Sequence, residues 1–242
     1  MDLNLSGRTA IVCGASSGMG LAIADALAGE GANVAMLARR RDLLEREADR
    51  IGALPVRGDV TVPKDLTRLV DRTLEAFSGI DILVNNSGGP PPGLASGVSD
   101  DAVEDAVELL LLSAIRLTNL CLPHLERSGH GRIVNIESSS VRQPIENLAL
   151  SNLVRPGVIG WAKTLAREVG PSGITVNTIA PGRIDTERLR SFGTPSTDDI
   201  PLRRLGDPKE IAAVVCFLAS DRASYVSGAV IPVDGGLTRT LL

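Results

Sequence analysis

The clearest chemistry lies in seven residues near the N-terminus, Gly14-Ala15-Ser16-Ser17-Gly18-Met19-Gly20. They follow a short apolar run and open an apolar stretch with helical spacing. A glycine-rich bend there lets the backbone approach a pyrophosphate, and the free N–H groups and dipole of the following helix favour the anion. Gly14, Gly18 and Gly20 shape the bend, with Ser16, Ser17 and Met19 as further contacts. A second apolar run ends in Ala38-Arg39-Arg40-Arg41, with no acid before Asp42. An acid at that place would bond a ribose 2′-hydroxyl and repel a 2′-phosphate, whereas guanidinium forks hold a phosphate. The pattern favours NADP over NAD, with Arg39 as leading contact, Arg40 beside it and Ser17 helping.

These residues need a frame. The chain has 242 residues, 43% hydrophobic and 22% charged, the balance of a soluble globular protein read as one unit over 1–242. A net charge of -4 and 2% aromatics argue against nucleic acid. Cys13, Cys121 and Cys216 are odd in number and scattered, which suggests a reducing compartment without disulfides. No uninterrupted apolar run is long enough to span a bilayer and no export signal is visible, so a cytoplasmic protein away from membranes is expected.

Consecutively apolar runs occur at Thr9–Cys13, Asn33–Ala38, Leu54–Val56, Ile80–Val84, Arg132–Ile136, Ile174–Ile179 and Val230–Val233. Such runs suit strands buried on both faces. Segments of helical spacing lie between them, including 101–127, 157–169 and 208–219. Asp207-Pro208 supplies an N-cap and a proline at the first helical position. The alternation predicts an α/β fold, a doubly wound parallel sheet of about seven strands with helices on both faces. Residues 88–97 form a loop, and 183–206 have the mixed character of a lid.

The GxxxGxG spacing of the bend resembles the short-chain dehydrogenase/reductase family, and the resemblance runs along nearly the whole chain. Asn85-Asn86-Ser87-Gly88 is similar to its NNAG motif, and Asp59-Val60 to its adenine-contacting pair. Asn177 through Gly182 is similar to the segment lining the nicotinamide, with Pro181, Gly182 and Ile184 as contacts. Ser227-Gly228 and Val233-Asp234-Gly235-Gly236 match its C-terminal strand region. The nearest branch is the 3-oxoacyl-[acyl-carrier-protein] reductases, through Gly131–Ile136 and Leu165-Ala166-Arg167-Glu168. The resemblance implies a Rossmann-type sheet, a homodimer or homotetramer, and a carbonyl or acyl substrate, free or carrier-bound.

The family's reaction uses a Tyr, a Lys four residues later, a Ser and an Asn. Aligning the flanks places Ser138 on the Ser, Ser151 on the Tyr, Arg155 on the Lys and Leu110 on the Asn. Only Ser138 is retained. A serine hydroxyl is a far weaker acid than a phenol, and Arg155 replaces the lysine charge but is a poor proton relay. Arg155 is also expected to hold the nicotinamide ribose. Pro156 predicts a helix kinked there or beginning near Arg155, so that Ser151 and Arg155 need not share a face.

Other groups have plainer roles. Glu137 and Glu146 flank the expected pocket, but strand alternation turns Glu137 away from Ser138 and Glu146 sits in a loop. Tyr225 is expected to pack, His124 and His130 to lie at the surface, and Cys13 to fill the core. Arg183, Arg188, Arg190, Arg203 and Arg204 form either a docking surface for an acyl carrier protein or an ordinary solvated face. Three functions follow: an NADP(H)-dependent oxidoreductase with altered proton handling, an NADP(H)-binding regulatory or assembly protein without turnover, and a non-redox lyase or isomerase.

Overall fold

A computed structural model describes residues 2–193 and 195–241. Seven strands form one sheet: β1 (Thr9–Cys13), β2 (Asn33–Ala38), β3 (Leu54–Arg57), β4 (Ile82–Asn86), β5 (Arg132–Ile136), β6 (Thr175–Pro181) and β7 (Val230–Val233). Their order is β3-β2-β1-β4-β5-β6-β7, with every neighbouring pair parallel. Strand order reverses between β1 and β4, so a crevice opens beyond the C-terminal ends of those strands. The helices are α1 (Gly18–Gly29), α2 (Arg41–Ile51), α3 (Pro63–Phe77), α4 (Asp100–Val107), α5 (Ser113–Ser128), α6 (Ala149–Val169), the single turn α7 (Glu187–Arg190) and α8 (Pro208–Ala219).

Alternation along β1 shows why the strands are apolar throughout. Ala10 and Val12 enter a core shared with α1, α2 and α8, while Ile11 and Cys13 enter a second core with α3, α5 and α6. Each face of a strand therefore meets a helix layer. The fourth strand lies two residues later than its apolar run suggests. Asn85 donates to Thr118 Oγ1 and Asn135 Oδ1, and Asn86 donates to the Cys13 carbonyl. Those bonds let two amides be buried inside the strand rather than in the turn after it.

Three other expectations change. Taken as one run, Asp100–Ser128 is long and apolar enough to cross a membrane by length and composition. Its α5 part packs on α3, β4 and β5, which accounts for many of its apolar side chains. His130 is buried, with Nε2 near the Ala219 carbonyl at 3.1 Å and Nδ1 2.8 Å from Asp221, because the end of α8 folds over it. Tyr225 projects fully from the surface, since the turn that carries it lies outside both cores.

Helix α6 also corrects the expectation for Pro156. The helix starts at Ala149 and continues past the proline to Val169. Proline inside a helix costs about 3 kcal/mol or more. Two features offset this. The Asn152 side chain accepts from the Ile145 N–H and donates to its carbonyl, which ties the first turn to the preceding loop. Leu150, Ser151, Val154, Arg155 and Val158 are buried, while Pro156 points to solvent. Ser151 and Arg155 consequently share a helix face. As expected, Asp207 caps α8, in a reciprocal capping box with Glu210.

Candidate active site

The glycine bend lies at the crevice. Gly14 and Gly18 have φ of +61° and +56°, a region that favours glycine. A Cβ on Gly20 would stand 2.3 Å from the Gly14 carbonyl oxygen, and one on Gly14 would stand 2.7 Å from Asn86 Nδ2. Backbone thus closes tightly on backbone. Ser17 stands at the N-cap of α1 without a side-chain capping bond. Its Oγ instead accepts from Arg40 Nη2 at 2.7 Å. The first N–H groups of α1 are left with no side-chain cap, as an anion cradle requires.

Arg40 also meets Glu187 at 3.2 Å, whereas Arg39 turns to Asp59 at 3.6 Å. Ser17 is therefore joined to Arg40 and not to Arg39. Neighbouring strand-end side chains diverge, so only one of the two reaches the bend. Asp59 and Val60 follow β3, and Ser87 and Gly88 follow β4, with the Ser87 hydroxyl donating to the Gly88 carbonyl. Ser16 is buried and Met19 half-buried beside the bend. Gly182 follows Pro181 tightly against Asp234, and buried Ile184 bridges Gly206. All of these lie on the C-terminal rim of the sheet. The cradle fits a nicotinamide dinucleotide in shape and in its charged side chains.

The second half of the site hangs from β5 and α6. Ser138 caps a short 3₁₀ turn, its Oγ accepting from the Ser140 N–H at 3.1 Å, so its hydroxyl hydrogen stays available. Arg155 Nε donates to Ser151 Oγ at 3.0 Å, and Ser151 Oγ lies 3.3 Å from Ser140 Oγ. Arg155 Nη1 donates to Glu137 Oε2 at 2.9 Å and Nη2 to the Gly88 carbonyl at 3.4 Å. Glu137 and Arg155 are 8% and 6% exposed, so this is a buried ion pair. Burial raises the Glu137 carboxyl above its ordinary pKa, and the adjacent guanidinium opposes that rise.

Sequence reasoning missed two members of this chain, Glu137 as the partner of Arg155 and Ser140 as the neighbour of Ser151. A carboxylate next to a serine cluster, with an arginine on the following helix, was the available signal. Leu110 is buried within a π-turn over Glu108–Leu112 between α4 and α5. It lines a small cavity with Asn86, Ser113 and Glu137. The Cys13 thiol nearby is pushed up to about 12 by burial, which makes it inert. Glu146 is exposed and His124 half-buried, and neither contacts this chain of groups.

Parallel sheet, switch-point crevice and glycine cradle define a dinucleotide-binding α/β protein, and this chain belongs to the short-chain dehydrogenase/reductase family. Residues 14–238 match the family model described as Enoyl-(Acyl carrier protein) reductase. The chain is 37% identical to the 3-oxoacyl-[acyl-carrier-protein] reductase FabG of Vibrio cholerae, over 97% of this chain and 99% of that protein. L-Sorbose reductase from Gluconobacter frateurii, solved with NADPH and L-sorbose, has a TM-score of 0.93 at 33% identity over 100% of both chains. YwfH, an NADPH dependent reductase involved in bacilysin biosynthesis, has a TM-score of 0.93 at 26% identity, covering 97% of this chain and 99% of that one.

Proposed function

We propose that this protein is an NADP(H)-dependent oxidoreductase acting on a carbonyl or alcohol, with Ser138, Ser151 and Arg155 at its active site. The observation that carries this reading is the Gly14–Gly20 cradle, with Ser17 and Arg40 at its rim and Arg155 joined to Gly88 of the same crevice. The bound dinucleotide supplies or accepts the hydride. Reduction consumes one carbonyl, one NADPH and one proton, and yields one alcohol and one NADP+.

Ser138 holds the substrate oxygen with its free hydroxyl hydrogen. Arg155 polarises Ser151, and the contact between Ser151 and Ser140 extends that polarisation toward the 3₁₀ turn. Neither serine is acidic enough to surrender a proton outright, so water supplies it. The partner implied by the family resemblance is a second copy of this chain, in a homodimer or homotetramer, which would cover exposed Leu153 on α6. Three buried free cysteines support a reducing, cytoplasmic setting.

Calorimetric titration with NADPH and NADH, followed by NADPH consumption across activated carbonyls, tests the reading. Tighter NADPH binding is expected. Arg39→Asp and Arg40→Asp should each weaken it about tenfold and leave NADH unchanged. No binding of either dinucleotide overturns the proposal. A second reading, an NADP(H)-binding regulatory or assembly protein, is favoured by the Glu137 charge that neutralises Arg155. Tight NADPH binding with no consumption would select it.

A further inference from the structure

Of the five arginines after β6 named above, Arg203 donates only to the Asp198 backbone carbonyl, while Arg183 pairs with Asp199, Arg190 with Asp185 and Arg204 with Glu210. Those three are neutralised locally, which removes most of a basic docking surface. Arg188, on α7, has no acidic partner among the described residues. It is nevertheless held in place. Its Nη2 donates to the Pro90 carbonyl at 3.0 Å, and its guanidinium carbon lies 5.2 Å from the Phe192 ring centroid. A Cβ on Gly89 would stand 2.8 Å from Nη2, so the guanidinium lies close over this glycine.

Arg188 and Arg155 therefore grip one short loop, Arg155 at the Gly88 carbonyl and Arg188 at the Pro90 carbonyl. Burial, and after it the charge of Arg155, lowers the Arg188 pKa. Glu137 compensates Arg155 alone. One positive charge is left over at the mouth of the site, on a fork suited to a carboxylate. Gly89 and Pro90 also line a cavity of about 530 Å³, together with Pro91, Leu94, Ala106 and Leu150. Its walls are mostly apolar.

We propose that Arg188 receives the carboxylate of the substrate, whose apolar body occupies the adjoining cavity and whose carbonyl is the group reduced. The substrate class is then an apolar oxo acid. This rests on the reading above that the pocket takes a carbonyl compound. Ordering an exposed arginine costs side-chain entropy, and a ligand anion is what that ordering prepares for.

The test compares benzoylformate with its methyl ester, using wild type, Arg188→Met and Arg188→Lys in the presence of NADPH. In wild type, kcat/KM for the acid should exceed that for the ester by about tenfold. Arg188→Met should bring the two together, the acid losing about tenfold more than the ester with NADPH affinity retained, and Arg188→Lys should fall between. Equal rates on acid and ester in wild type, or a preference that survives Arg188→Met, overturn the proposal. Loss of NADPH affinity in Arg188→Met also overturns it and assigns the arginine to the coenzyme. If neither compound turns over, benzoylformate binding to the NADP+ complex decides the anion site, separately from the carbonyl-reductase reading. Binding that Arg188→Met weakens about tenfold supports the site, and no binding or an unaffected one refutes it.

Discussion

On the β1–β2 side of the switch point the site is built from backbone. Gly14, Gly18 and Gly20 set the path of the chain, and the open N-terminus of α1 supplies the donors. On the β5–α6 side it is built from side chains. Glu137, Ser140, Ser151 and Arg155 form one chain of contacts, with Leu110 shutting it in. A backbone cradle tolerates little change, because a single Cβ meets main-chain atoms. A side-chain network can be rebuilt when several members change together. A buried guanidinium is tolerated in this half because a carboxylate stands opposite it.

The largest effect expected from that contrast falls on the side-chain half. Arg155→Met strands a buried carboxylate and should cost about 3 kcal/mol in urea unfolding. Without the guanidinium, Glu137 keeps its proton to higher pH, so the loss should grow as pH rises. Adding Glu137→Gln should recover most of the stability. A double variant as unstable as Arg155→Met alone would show that the two residues are not coupled.

The backbone half is probed by Gly20→Ala. Its Cβ would meet the Gly14 carbonyl, and the forced shift should weaken NADPH binding by about tenfold or more. Unchanged affinity on calorimetry would separate the bend from the coenzyme and collapse the comparison.

The smallest effect lies remote from both halves. Burial, helped by the Arg132 charge, lowers the His130 pKa below 6.5, despite Asp221 at Nδ1. The unfolded chain therefore binds a proton that the folded one resists. Stability should decline as pH falls below about 6.5. His130→Gln should flatten that decline in thermal melts at pH 5 to 7. Identical slopes would place the pH dependence elsewhere.

Much of the fold was legible in the order of residues. Runs such as Thr9–Cys13 and Arg132–Ile136 are apolar at every position because both faces of the sheet are covered, and they became strands within those bounds. The strand ending at Asn86 was less legible, because its two amides become strand residues only through partners distant in sequence. Pro156 misled for a similar reason. Local stereochemistry argues for a helix start, while the Asn152 clamp and the buried face of α6 argue for continuity.

Taken alone, the sequence determined the parallel sheet and the glycine bend suited to a dinucleotide. Those features depend on residue type and near spacing, which chain order records directly. Tertiary structure decided that Arg40 rather than Arg39 meets Ser17, that Glu137 partners Arg155, that His130 is buried, and that Arg188 has no acidic partner among the described residues. Each of these depends on which side chains converge from separate strand ends and helices, and convergence in space is set by the packing of the sheet against its two helix layers.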